Sequence, residues 1–422
     1  MALRILHTAD WHLGQSFYEY DRMPEQERFL NWLRDTLVEK EAGVLIISGD
    51  IFDVSNPPAA AQRLFYTFLR EVTTLLPGLQ VVCIAGNHDS AARLESPRSL
   101  LEVFNVRVTG TVGRDAGGRP DYGALRIPLK GRTGTTEAWC LAVPFLRPGD
   151  FPAGSGTGEG SYAAGMTAFY REAVTEALGH CESGQALVVT GHLHTAGALT
   201  TGEDKCERPI LGGLEFVPAG AFGTEAAYVA LGHIHRPQTV DGLRHIRYAG
   251  SPLPMSFSEE HYPHQVVCVD LENGLLKDLE ALPVPVTVPL LSVPPRPQPL
   301  LQVLEELEKL PPASTQRHSA PYLRVRVLLD GPEPSLRIQV EKALENKEVR
   351  LAKIEVSYPG RDQEEQQEGE GVSRLDTLRP LDLFRRRYQA LYNREIPQEL
   401  VELFHIAVTE TESGDLAPGL QE

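Results

Sequence analysis

Apolar positions in the first ninety residues follow two alternating patterns. Continuous runs of strand length, LRILHTAD at 3–10, GVLIISGD at 43–50 and LQVVCIAGNHD at 79–89, are separated by stretches with helical spacing at about 24–40 and 59–76. The order is β-α-β-α-β, which predicts parallel strands buried on both faces. In such sheets ligands gather at the carboxyl ends of strands. Each of these runs closes on Asp or Asn.

Strand-like runs recur at 124–129, 138–145, 185–191, 227–232, 244–249 and 265–271, with a helix expected at 161–180. The glycine-rich segments 110–123 and 149–161 read as surface loops. Residues 283–299, PVPVTVPLLSVPPRPQP, are too proline-rich for a sheet interior and read as a connector. A second β-α-β-α-β pattern overlaps and follows it: a strand around 286–293, helix 300–310, strand 322–329, helix 335–346 and strand 350–358. Within YLRVRVLL, Leu323, Val325, Val327 and Leu329 alternate with Tyr322, Arg324, Arg326 and Leu328, as in a sheet with one wet face.

Residues 359–373, PGRDQEEQQEGEGVS, have the composition of a flexible acidic linker. Two short amphipathic helices should follow within 374–410, one with Leu381, Phe384, Tyr388 and Leu391 on a face, the other with Leu400, Leu403 and Phe404. Helices this short cannot bury their apolar faces alone, so the pair is expected to dock on a partner protein. The division expected is thus 1–280, 281–358 as an accessory domain, the linker 359–373, the helices 374–410 and a disordered tail 411–422.

Composition narrows the class. Apolar residues at 42% and charged residues at 23% are those of an ordinary globular protein, and no run approaches a membrane span. Met1 leads directly into a strand-like run, so a cytoplasmic protein without a signal peptide is expected. Five cysteines stand far apart without a CxxC pair, and Cys83, Cys140 and Cys268 fall inside apolar runs, which predicts buried reduced thiols. The net charge of −17 counts against a nucleic-acid partner, but residues 361–422 hold 7 Lys and Arg against 14 Asp and Glu, in a tail that need not face a substrate.

The chemistry lies where strands end. Asp10 and His12 come from ADWHLG, Asp50 and Asp53 from SGDIFD, Asn87, His88 and Asp89 from AGNHDS, His192 and His194 from TGHLH, and His233 and His235 from LGHIH. A bland reading of AGNHDS exists, since Gly-Asn often turns a chain and Asp often caps the next element. The whole set is far more specific. Carboxylate, amide oxygen and imidazole without thiolate suit divalent ions such as Mn²⁺ or Fe²⁺. Seven candidate ligands exceed what one ion needs; two ions about 3.5–4 Å apart, bridged by a carboxylate, accommodate them in the arrangement used for phosphoester displacement. Two such ions with Asp10 and Asp50 as the anionic ligands leave the cluster about +2, which favours a phosphodiester even in an acidic protein.

HTADWHLGQ (7–15), SGDIFD (48–53), AGNHDS (85–90), TGHL (190–193), ALGHIHRPQ (230–238) and YAGSPLPMSF (248–257) resemble the calcineurin-like metallophosphoesterase superfamily, and within it the nuclease subunits of bacterial SbcCD-type complexes. The resemblance implies an α/β chain: an α-β-β-α sandwich nuclease domain, a small α/β capping domain that contacts DNA, and a C-terminal pair of partner-binding helices. It implies that Asp10, His12 and His235 hold one Mn²⁺, that Asn87, His192 and His233 hold another, and that Asp50 bridges. His88 becomes the catalytic histidine, stabilising or protonating the departing oxygen after in-line attack by an activated water. Asp53 stands where some relatives place a histidine, so no role is carried over to it; His194 reads as a neighbour and Asp89 as a brace for the turn. Gly250, Ser251 and Pro252 are expected to shape the site through backbone.

The function that the resemblance implies is that of a DNA nuclease with ATP-dependent 3′–5′ exonuclease action on duplex ends and endonuclease action on hairpins or single strands, in replication, recombination and repair. Since no GxxxxGK[ST] loop occurs in the chain, ATP hydrolysis is assigned to a partner; the resemblance implies that the partner is a coiled-coil ATPase and that this chain is a homodimer inside a heterotetramer. The rivals are a phosphomonoesterase or cyclic-nucleotide phosphodiesterase on the same fold, and a scaffold that has lost catalysis.

Overall fold

The computed structural model describes residues 2–152, 161–199, 216–313, 320–358 and Tyr388. All of these except Tyr388 belong to one compact unit that ends at Tyr358; Tyr388 belongs to a second. The acidic linker, the partner-binding helices and the tail expected from the sequence therefore lie, Tyr388 apart, outside the described residues.

Two six-stranded sheets form the frame. The first runs, edge to edge, Leu275–Pro283, Gln265–Glu272, Leu3–Thr8, Val44–Ser48, Gln80–Ile84 and Val106–Thr109. Its last four strands are parallel, as the β-α-β-α-β pattern requires, and Gln265–Glu272 pairs antiparallel to Leu3–Thr8. The second sheet runs Gln238–Val240, Leu243–Tyr248, Tyr228–Gly232, Ala186–His192, Thr136–Leu141 and Arg126–Lys130.

Period-two alternation sends each strand's apolar side chains both ways. Leu6, Leu45, Ile47, Val81 and Cys83 pack on the helices Met23–Glu39 and Ala59–Leu75. Their neighbours Ile5, Ile46, Val82 and Ile84 meet Cys140, Val188, Tyr228 and Ala230 of the facing sheet. The outer face of the second sheet is covered by the helix Ser161–Leu178 through Phe169, Tyr170 and Ala173. The result is an α-β-β-α sandwich. Cys83, Cys140 and Cys268 are buried free thiols, as the apolar runs around them predict.

The strands Val106–Thr109, Gln238–Val240 and Leu275–Pro283 and the short helices Ala91–Glu95 and Arg98–Leu101 have no counterpart among the elements expected from the apolar pattern. Among the described residues no helix is long and apolar enough to cross a membrane.

Leu290–Pro299, Tyr322–Leu328 and Arg350–Ser357 form a separate parallel three-stranded sheet, with helices Leu300–Glu308 and Leu336–Ala343 as crossovers. The proline-rich connector expected over 283–299 thus becomes, from Leu290, an edge strand. Pairing lapses between Val293 and Gln298, where Pro294, Pro295 and Pro297 cannot donate. The face expected to be wet is covered at its Tyr322 and Arg324 end, while Arg326 and Leu328 stay partly exposed. Tyr322 is fully buried, its ring 4.5 Å from that of Phe17 and its hydroxyl on Glu25, and Arg324 lies over the Phe257 ring at 5.1 Å. Tyr and Arg read as solvent residues in the pattern because their polar ends hide an apolar body suited to a contact surface. That end of the face is the junction with the sandwich.

Candidate metal centre

Loops at the carboxyl ends of both sheets meet at one rim. The loop after Leu3–Thr8 runs beside the loop after Val44–Ser48, with Asp10 N donating to Gly49 O at 3.1 Å and His12 N to Asp50 O at 3.0 Å. Pairing between the two segments is thereby carried past the ends of the strands, which sets Asp10 and His12 against Asp50. Asp10, His12, Asp50 and His233 all have positive φ, from 45° to 97°. Glycines make the approach possible: a Cβ on Gly49 would strike the His192 imidazole, and one on Gly86 the Asp50 carboxylate.

Two clusters hold the expected ligands: ligand atoms of Asp10, His12 and His235 lie within 4.8 Å of one another, as do those of Asp50, His192 and His233. Those of His12, Asp53 and His88 also fall within that distance of one another. Asn87 joins the second cluster, its Oδ1 being 2.9 Å from both His192 Nε2 and His233 Nδ1. Asp50 Oδ2 stands between the clusters, 3.2 Å from His192 Nε2 and 3.7 Å from His12 Nε2. All seven side chains that the resemblance names as ligands are therefore together. His194 packs its ring 4.4 Å from that of His233 and belongs to neither cluster.

The surroundings fit divalent ions. Asp10 Oδ2 and His12 Nε2 are buried with no hydrogen-bond partner, which costs free energy unless something else binds them. Separations of 2.9–3.2 Å between ligand atoms match the edges, about 3.0 Å, of an octahedron with arms of about 2.1 Å. The far ring nitrogens are engaged: His12 Nδ1 with Asp53 Oδ1 at 3.2 Å, His192 Nδ1 with Ser48 O at 2.9 Å and His235 Nδ1 with Glu259 Oε1 at 2.8 Å. Each such contact leaves Nε2 aimed inward. Burial opposes charge on Asp50, yet His192, His12 and His88 hold its carboxyl well below the usual carboxylate range. Burial likewise presses on His192, but Asp50 outweighs it and lifts the imidazole to about 9.

His88 stands at the edge of the cluster, half-buried, its ring 4.9 Å from that of His12. Asp89 turns away and accepts from the backbone N–H groups of Ile51, Phe52 and Gly86 at 3.1, 2.9 and 2.9 Å, bracing the turn. Ser251 does more than shape backbone, since its hydroxyl donates to Glu259. Glu259 itself carries no signal in the sequence, although it lies two residues beyond YAGSPLPMSF.

Residues 3–237 match the family model of the calcineurin-like phosphoesterases, and a curated relative from Rhodobacter capsulatus, named as the SbcD component of the SbcCD nuclease, is 38% identical over 85% of this chain and 88% of its own length. The chain belongs to the SbcD nuclease family of calcineurin-like phosphoesterases. Proteins of the same name from Escherichia coli K12 and Bacillus subtilis 168 are 37% and 33% identical, covering 68% and 64% of this chain and 70% and 67% of their own lengths. Residues 286–392 match a second model, the type 5 capsule protein repressor C-terminal domain. Membership in the SbcD family sets the class of chemistry, a metallophosphoesterase-type nuclease that hydrolyses phosphodiester bonds with divalent metal.

Proposed function

We propose that this chain is the nuclease subunit of an SbcCD-type complex: a DNA nuclease with 3′–5′ exonuclease action on duplex ends and endonuclease action on hairpins and single strands, driven by a separate coiled-coil ATPase. The convergence of Asp10, His12, Asp50, Asn87, His192, His233 and His235 on one rim carries the reading. In it Asp10, His12 and His235 hold one ion, Asn87, His192 and His233 the other, and Asp50 reaches both; Mn²⁺ suits this oxygen and imidazole set. Bound there, the ions supply positive charge to the phosphodiester and to the attacking water.

The chain's own groups do the rest. Asn87 contributes an oxygen without cancelling charge, and His88, kept off the metals, presents Nε2 to the departing oxygen. Asp53 and Ser48 orient His12 and His192. The sandwich over 1–280 is the catalytic domain, 281–358 caps the DNA, and 374–410 bind the ATPase across the linker 359–373, with two copies of each subunit in the assembly.

Purified protein with Mn²⁺, assayed on linear duplex DNA, hairpin DNA and nitrophenyl phosphate esters, tests the reading. DNA cleavage that rises with the ATPase and ATP is expected; robust monoester turnover without DNA cleavage would overturn it.

A further inference from the structure

Two adjacent acidic residues, Glu259 and Glu260, face opposite ways from one short 3-10 turn, Phe257–Glu259. Glu259 is fully buried, and among the described residues its ion-pair partner is His235 alone. Its Oε1 lies 2.8 Å from His235 Nδ1, while Oε2 accepts from Ser251 Oγ at 3.1 Å and Met255 N at 3.0 Å. Both carboxylate oxygens are thus held, so the carboxylate cannot rotate away from the ring it faces. A buried carboxylate that accepts from Nδ1–H fixes the tautomer of the imidazole and leaves the Nε2 lone pair for a cation.

Glu260 points to the accessory sheet. Its Oε2 accepts from Ser292 Oγ at 2.7 Å and from Arg324 at 3.3 Å. Arg324 also lies over the ring of Phe257, the first residue of the turn, and Phe257 packs against Phe17, which in turn touches Tyr322. The turn that carries Glu259 is therefore clamped between the two sheets' loops on one side and the strand Tyr322–Leu328 on the other.

We propose that Glu259 is a positioning residue for the ion held by Asp10, His12 and His235, and that Arg324 of the accessory sheet holds the turn that keeps Glu259 in place. This rests on the ligand assignment under the proposed function. It makes the accessory sheet part of the metal site's support as well as a surface for substrate.

Titration calorimetry of the full-length protein with Mn²⁺, read alongside the Mn²⁺ dependence of DNA cleavage, tests it. Glu259→Ala should weaken one of two Mn²⁺ equivalents by about 10–100-fold and leave the other within about twofold, with cleavage recovering as Mn²⁺ is raised. Glu259→Gln, which keeps an acceptor but loses the charge, should weaken the same equivalent by less, and Arg324→Ala should do so at a distance. If Glu259→Ala fails to fold by circular dichroism, the Gln and Arg324 variants still decide. Two equivalents in the wild type and two of unchanged affinity in Glu259→Gln and Arg324→Ala would overturn this inference alone. Fewer than two in the wild type would overturn the ligand assignment and the inference with it.

Discussion

His88 Nδ1 lies 2.8 Å from the backbone carbonyl oxygen of Asp53, so one ring nitrogen is committed to the loop of a different strand and Nε2 is left to meet a substrate. The bond is to backbone, and it survives any change of the Asp53 side chain. His88 and the metal ligands can therefore be separated by mutation. His88→Ala should retain both Mn²⁺ equivalents in calorimetry while DNA cleavage at saturating metal falls by about 10²–10⁴-fold. Full activity would remove His88 from the chemistry.

The Asp53 side chain has a different job from its carbonyl. Its Oδ1 is 3.2 Å from His12 Nδ1, so Asp53→Ala should loosen the ring of His12 and weaken Mn²⁺ binding by about 10-fold or more, with kcat recovering at high metal. The expected split, KM for metal raised and kcat kept, is the opposite of that for His88→Ala. A loss of kcat that metal does not restore would place the Asp53 carboxylate nearer the reaction than its geometry indicates.

His192, lifted to about 9 by Asp50 although burial works the other way, holds a proton at neutral pH on the nitrogen a cation needs. Metal binding must displace that proton, so Mn²⁺ affinity should rise with pH and level off above about 9. Calorimetry in buffers of different ionisation enthalpy should show about one proton released at pH 7 on filling the site that contains His192. Asp50→Asn should abolish the release along with the affinity.

Acid stability is set partly elsewhere. His7 lies fully buried between the sheets, bonded through Nδ1 to the Tyr228 hydroxyl at 2.9 Å, and burial, aided by Arg247, presses its imidazole down to about 3. The unfolded chain binds a proton there near the ordinary value of 6.5 and the folded chain does not. Its stabilising effect is therefore complete above about 6.5 and is lost as pH falls towards 3, by about 1.4 kcal/mol per unit. Guanidinium unfolding from pH 7 to 4 should show this slope, and His7→Gln should flatten it by about one proton.

The sandwich was legible because its parallel strands are continuous apolar runs between helical periods, as at GVLIISGD, and because residues with chemistry sit where those runs stop. Period and punctuation are local signals. What escaped depends on partners distant in sequence. Val106–Thr109 is only four residues long and is a strand because Gln80–Ile84 offers an edge to it. Tyr322 and Arg324 look wet until Phe17, Glu25, Glu260 and Phe257 are brought to them. Glu259 sits in an unremarkable Ser-Glu-Glu stretch, and only the fold gives it His235 as a neighbour. Strand ends yield eleven candidate residues and the resemblance names seven of them as ligands, whereas the nitrogen each histidine turns inward is set by contacts that no spacing encodes.

The left-handed backbone at Asp10, His12, Asp50 and His233 means that this enzyme spends folding energy on its working geometry, about 1 kcal/mol for each such residue. His12→Gly would shed that burden at one position and an unpartnered buried nitrogen with it, at the cost of a cavity and of the contact with Asp53. These four backbone conformations are therefore not the ones stability alone would choose, and they stand where the chain gathers its ligands.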